Sequence, residues 1–292
     1  MMRAISLSQP AQGIAFILSA GLLLTMSDTA TKWLTDGYPV GQIMCIRSFF
    51  TLLPIMIFAS RSGGFSSLRI GNMRMQFARA ACAVASSFLF VTGLIYLPLA
   101  DAIALAFSGP LFVTAMATPL LGEHVGWRRW TAVMIGFVGI LIMIRPTGDA
   151  VRWVALLPLC GACCGALRDV ITRHIRATDS PVAILAFTMT AVGLAGLSTL
   201  PFGWKPVTGP DLLIMMGAGV VVGSAQYLAI QAFHHAEASL IIPFKYLSLI
   251  WGALFGYVIW GHVPDQWVIA GATLVVGSGL FIMYRETRRP RR

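Results

Sequence analysis

The chain is poor in charge, and poorest in acid. Charged residues make up 11% of its 292 positions, and Asp and Glu together number 11. A soluble domain carries about 25% charged residues, so water is not the main solvent of this surface. Cysteine is scarce as well, and Cys45, Cys82, Cys160, Cys163 and Cys164 all fall in apolar segments. Cys160 and Cys163 have C-x-x-C spacing but no second pair, so they read as small packing residues rather than a metal or redox site. Long polar loops are missing too: the widest gap between apolar runs, around Ser60–Arg74, is too short to hold a soluble domain. Short strands of alternating polarity are also missing, which excludes a β-barrel. So is any set of nucleophile, base and acid, which excludes the common enzyme classes. His234-His235 with Glu237 falls in a short turn, without the one-face spacing of a zinc helix. The chain is therefore expected to be no enzyme and to need no cofactor and no metal.

What is present is apolar and long. Hydrophobic residues reach 57%, with a mean hydropathy of +0.80. About twenty apolar residues cross a bilayer as a helix. Ten such stretches stand out, at 12–34, 39–60, 75–97, 100–121, 127–145, 153–173, 181–201, 212–233, 238–260 and 266–284. The first is long enough to remain as a span rather than be removed as a signal peptide. The expected class is an all-α integral membrane protein of ten transmembrane helices.

The net charge of +10 does not read as nucleic-acid binding, because of where the charge sits. If the N-terminus is cytoplasmic, inner loops and tails hold nearly all the arginines, from Arg61, Arg69 and Arg74 through Arg128 and Arg129 to Arg288–Arg292. Outer loops and helix ends then hold Lys32, Arg145, Arg152 and Lys205. The positive-inside rule places both termini in the cytoplasm. The partners implied are the lipid bilayer and a small molecule, with no nucleic acid.

A faint duplication runs through the chain. Gly139-Ile-Leu-Ile-Met-Ile-Arg145 recurs as Gly279-Leu-Phe-Ile-Met-Tyr-Arg285, and Asp28-Thr-Ala-Thr-Lys32 recurs as Asp169-Val-Ile-Thr-Arg173. Ten helices in two copies give five each. An odd number forces the second copy to start on the opposite face, so residues 1–147 and 148–292 are expected as inverted five-helix repeats. Substrate sites in such proteins lie near mid-bilayer, between the halves.

Charged residues inside these helices are the first candidates. In each echo an acid precedes a base by four residues, so Asp28 faces Lys32 and Asp169 faces Arg173 on one helix surface. A self-neutralised pair near the helix end and a gating or proton-coupling pair both remain open. Arg47 lies about 12 Å into helix 2 and Asp28 about 9 Å into helix 1 from the same end. A contact between them is expected, either locking the fold or holding substrate. Lys245 lies roughly 10 Å into helix 9; it either meets an anionic group on a substrate or snorkels to the interface.

Helices 4 and 9 hold equivalent places in the two copies, and both are interrupted. Helix 4 reads Phe107-Ser108-Gly109-Pro110, and helix 9 reads Pro243-Phe244-Lys245-Tyr246, then Trp251. Pro and Gly interruptions at matching places point towards a binding site, with Pro110 and Pro243 as hinge points. Tyr227 and Gln231 share a face of helix 8, and Phe90 lies on helix 3. Aromatic walls with a few polar groups make a small-molecule pocket.

The pattern resembles the drug/metabolite transporter superfamily, and within it the EamA-type ten-helix exporters. The resemblance rests on Lys32, on Pro39 and Arg47, on the Ala100-to-Pro119 run ending in Gly122-Glu123, and on Gly136 and Gly139. In the second copy the matching place reads Gly261-His262, so no role for the family's glutamate carries over there. Within that group the chain is most similar to the YddG-type amino-acid exporters. The resemblance implies export of aromatic and other neutral amino acids or related metabolites across a bacterial inner membrane, by alternating access. Lys245 would take the carboxylate, and Phe107, Tyr227, Phe244 and Trp251 the side chain. An antiporter of nucleotide sugars or phosphorylated sugars and an exporter of organic cations are the alternatives. A monomer could work alone.

Overall fold

The computed structural model describes residues 9–61, 64, 68–121, 126–144, 153–175 and 178–287. Gly122-Glu123, Arg145, Arg152, Arg176 and the C-terminal Arg288–Arg292, which entered the charge and motif readings, lie outside the described residues. Among the described residues there are helices and no strands. In chain order they are α1 (Gln9–Thr35), α2 (Val40–Arg61), α3 (Met73–Tyr96), α4 (Leu99–Ala106), α5 (Gly109–Leu121), α6 (Trp127–Ile144), α7 (Leu156–Ile175), α8 (Pro181–Leu197), α9 (Gly209–His235), α10 (Ala238–Lys245), α11 (Leu247–Trp260) and α12 (Gln266–Thr287). They fall on the apolar stretches seen in the sequence, with the fourth and ninth each divided in two.

Eight helical stretches are long and apolar enough to cross a membrane, and α8 is a shorter apolar helix. Phe49, Phe77, Trp127, Leu213, Ile250 and Val258 stand exposed on the outside. An apolar surface of that extent needs lipid rather than water. Local chemistry sets the helix starts. The Asn72 side chain accepts from the Met75 N–H, Ser180 from Ala183, and Thr208 from Asp211. Pro181 and Pro210 follow two of these caps, where a missing N–H costs nothing. α11 ends at Gly261, whose φ of 68° a side chain would resist.

α1 packs along α9 and α3 along α7; α6 packs on α12, and α2 on α8 and α9. α10 and α11 lean on α1 as α4 and α5 lean on α7. Close approach depends on small residues. A Cβ on Gly139 of α6 would lie 2.7 Å from the Gly271 carbonyl oxygen of α12. A Cβ on Gly196 of α8 would lie 2.6 Å from the Gly41 carbonyl oxygen of α2. Replacing Gly271 by Val is expected to cost about 1–3 kcal/mol by forcing the two backbones apart. Thermal melting of the purified protein in detergent would show it, and an unchanged melting temperature would refute the packing described.

Asp179, in the turn between α7 and α8, ties that turn to the start of α3. It accepts from the Gly71 N–H at 2.8 Å and from Gln76 Nε2 at 2.7 Å. Burial alone would raise this carboxyl, but the hydrogen bonds outweigh it and hold the group below the ordinary value of 3.8. A depressed carboxyl contributes its stability above the unfolded value and loses it as pH falls through the folded one. Asp179→Asn should therefore lower the melting temperature at pH 7, by about 1 kcal/mol of stability. The two proteins should converge below pH 3.8. Equal melting at pH 7 would contradict the tie.

Candidate functional site

The two divided helices carry the site. α4 ends at Ala106 and α5 begins at Gly109, leaving Phe107 and Ser108 between them. α10 ends at Lys245 and α11 begins at Leu247, leaving Tyr246. Pro110 is therefore not in mid-helix. It sits in the first turn of α5, where its fixed φ suits a helix start. Pro243 lies inside α10, and its carbonyl accepts from the Tyr246 N–H at 3.2 Å as the helix ends. Ser108 is buried, and its Oγ donates to the Leu105 carbonyl at 2.6 Å. It satisfies a carbonyl left open where α4 ends.

Phe107 and Tyr246 hold matching positions in the two breaks, and their rings meet. The centroids are 4.9 Å apart with the planes tilted by 36°. Phe107 is half-buried, while Tyr246 is only 8% exposed. The Tyr246 hydroxyl points at Gly279 of α12, where a Cβ would collide with it. That buried hydroxyl has no hydrogen-bond partner among the described residues. Ser248, two residues on, faces Gly21 of α1.

The other expected pocket residues are dispersed. Phe90 packs on the same apolar cluster as Phe107. Tyr227 stacks edge-on against Phe58 of α2, 4.2 Å between centroids, in the α2–α9 seam. Gln231 is half-buried, and its carbonyl oxygen lies 2.9 Å from His235 Nδ1. Phe244 joins Ile17, Ala232 and Ile241 between α1, α9 and α10. Trp251 is half-buried on α11.

The first echo pair resolves differently from the expectation. Lys32 does not neutralise Asp28. Its Nζ donates to the Leu94 and Leu97 carbonyls at 2.6 and 2.8 Å, at the C-terminal end of α3. A cation suits a helix C-terminus, where carbonyls lack intrahelical donors. The Trp260 ring lies 5.5 Å from the same Nζ, and Trp33 packs against Trp260. Asp169 accepts from its neighbour Arg168, at 2.9 Å from Nε and 2.8 Å from Nη2. Arg173 is exposed.

Arg47 is also held otherwise than expected. It donates from Nη1 to Thr31 Oγ1 of α1 at 2.8 Å, and no hydrogen bond or ion pair joins it to Asp28. Asp28 is its electrostatic neighbour only. Arg79, whose place near a helix start reads as an interfacial charge, is buried. Arg79 of α3 donates from Nε to Thr172 Oγ1 at 2.7 Å and from Nη1 to Thr188 Oγ1. Thr31 and Thr172 are the second identical position of the Asp28/Asp169 echo, so the repeat did carry a signal for both arginine acceptors.

The two ends of the bundle are unlike. At the Thr35 end α1 packs on α3 and α4, and α4 also packs on α11 and α12. Leu99 through Leu105 are all buried. At the Gln9 end α7 has no comparable packing with α9 or α10, the partners that the repeat would give it. Leu240, Pro243 and Lys245 of α10 are exposed. Lys245 lies about 10 Å from that end of the bundle, with Asp169 and Arg168 as electrostatic neighbours. The bundle is thus sealed at the Thr35 end and open at the Gln9 end, with the Phe107–Tyr246 contact between.

A model of the EamA-like transporter family matches the chain twice, over residues 11–145 and 152–284. A riboflavin transporter of Rhizobium johnstonii is 30% identical over 99% of this chain and 96% of its own length. An S-adenosylmethionine uptake transporter of Rickettsia bellii is 24% identical over 94% of each chain. One solved protein structure superposes with a TM-score of 0.65 at 18% identity, over 95% of this chain and 99% of that one, a likeness of fold alone.

Tyr246→Phe tests the site's most unusual atom. Removing a buried hydroxyl that lacks a partner is expected to leave thermal stability unchanged or raise it by about 1 kcal/mol. A fall of that size would mean that the hydroxyl has a partner in the folded protein.

Proposed function

The chain belongs to the EamA-like transporter family, and we propose that it carries a planar heteroaromatic metabolite, riboflavin or a close relative, across the bacterial inner membrane. The observation that carries this reading is the meeting of Phe107 and Tyr246 at the two helix breaks. Phe107 offers a half-open ring face to a flat ligand. The Tyr246 hydroxyl, aimed at Gly279 of α12 and with no hydrogen-bond partner among the described residues, is the donor this contact has to offer a ring nitrogen or carbonyl. The riboflavin transporter that matches along nearly its whole length supports the same choice of cargo.

In this reading residues 1–147 and 148–292 are inverted five-helix repeats. The double match of the family model and the exchange of helix partners between the halves support that division. Both termini lie in the cytoplasm, in keeping with the arginine-rich inner loops. The Gln9 end is then the cytoplasmic end, and the protein rests inward-open. Transport proceeds by rocking of the halves about the midplane contact, within a single chain.

Amino-acid export, the cargo and direction that the sequence resemblance implied, is the second reading. The exposure of Lys245 at the open end favours it, since a cation there can hold a carboxylate. Uptake into liposomes containing the purified protein separates the two. Saturable riboflavin transport that weakens about tenfold in Phe107→Leu is the expected result. Transport of phenylalanine but not riboflavin, lost in Lys245→Ala, would overturn the proposed cargo in favour of the second.

A further inference from the structure

Lys32 closes one end of this molecule, and its counterpart in the second copy is exposed on a helix that is not packed along α9. Lys32 spans from α1 to the last carbonyls of α3, those of Leu94 and Leu97. Its echo partner is Arg173 of α7. The counterpart of α3 is α9, and the two helices end alike. The Leu97 N–H bonds the Gly93 carbonyl at 3.0 Å, and the Ala236 N–H bonds the Ala232 carbonyl at 3.1 Å. The next half-helix then starts alike: Ala102 N–H to the Pro98 carbonyl, Ile241 N–H to the Glu237 carbonyl. Leu94 and Leu97 therefore correspond to Phe233 and Ala236, and Pro98 corresponds to Glu237.

We infer that Lys32 and Arg173 are alternating latches: Lys32 seals the Thr35 end on the carbonyls of α3, and Arg173 seals the Gln9 end on the Phe233 and Ala236 carbonyls of α9 and the Glu237 carboxylate. The inference rests on the inverted-repeat reading proposed above. Both acceptor sites are helix C-termini, which favour a cation. At the first site Asp36 and Asp101 are electrostatic neighbours of Lys32; at the second, Glu237 stands where the first copy has Pro98. Arg is suited to that site because its planar fork can reach a carbonyl and a carboxylate together. Lys, a compact point charge, suits a pair of carbonyls. Arg173, His234 and Glu237 are all exposed, and α7 is not packed on α9. Closing the Gln9 end would bring α7 onto α9 as α1 now lies against α3. Lys32 would be drawn off Leu94 and Leu97 in the same movement, so the two latches exclude each other. Lys32 and Arg173 are positioning residues: they set which end is open and need not touch the cargo.

Distances between spin labels read the two ends separately. Ketone-reactive labels on encoded p-acetylphenylalanine leave the native cysteines in place. One pair, at positions 36 and 96, reports the Thr35 end; the other, at 174 and 234, reports the Gln9 end. Measurements are made in liposomes without any substrate, so a wrong choice of cargo does not affect them. Lys32→Ala should move the open-to-closed ratio by about ten-fold, lengthening 36–96 and shortening 174–234. Lys32→Arg should behave as wild type. Adding Arg173→Ala to Lys32→Ala should abolish the short 174–234 population. Should Lys32→Ala fold poorly, Lys32→Gln serves in its place, and Arg173→Ala alone should remove any short 174–234 population that wild type shows. Unchanged distances in folded Lys32 variants, or a double variant equal to Lys32→Ala, would overturn the inference.

Discussion

In hydrocarbon an unsatisfied backbone carbonyl or amide costs several kcal/mol, so a helix can stop inside a membrane only where protein replaces the lost bonds. That constraint governs this molecule. The fourth and ninth apolar rods each stop and restart. The Ser108 hydroxyl reaches back to Leu105, and Pro243 takes the Tyr246 amide. At the sealed end the carbonyls of Leu94 and Leu97 receive the Lys32 ammonium. Every interruption is thus covered by a side chain or a turn. The two interruptions that lie deepest bring Phe107 and Tyr246 into contact.

From that contact outward the bundle loses its symmetry. Its helix partners exchange in pairs, yet α4 is enclosed while its counterpart α10 is not. In the inverted-repeat reading, that difference between α4 and α10 is the mark of a transporter with one end open. Charge follows the same division. The sealed end holds Lys32, Asp28 and Arg47, with Thr31 accepting from the arginine. The open end holds Lys245, Arg168 and Asp169, with Thr172 and Thr188 accepting from Arg79. The same echo threonine serves an arginine in both halves, but the arginines come from non-equivalent helices, α2 and α3.

Much of this was legible in the sequence because its signals are strong. Runs of about twenty apolar residues mark spans, and Gly-Pro and Ile-Pro steps marked the two divided helices. Side-chain partners were less legible. The acceptors of Lys32 are carbonyls, which every residue has and which no pattern distinguishes. The obvious carboxylate four residues away misdirected the reading. Arg47 likewise took a threonine rather than Asp28. Arg79 near a helix start looked like an interfacial charge, although it is buried. Which faces of α9 and α11 look inward was not legible, because these helices are apolar all round. The contact of Phe107 with Tyr246 lies at the two helix breaks, which the Pro and Gly steps had located.

The measurement that bears most directly on the account is equilibrium binding of riboflavin to the purified protein, wild type against Tyr246→Phe. Losing one hydrogen bond to the ligand should weaken binding by about three- to ten-fold. The variant should melt no lower than wild type, because the hydroxyl it lacks has no hydrogen-bond partner among the described residues. Binding of equal strength in the two proteins would contradict a site at the crossing of the helix breaks.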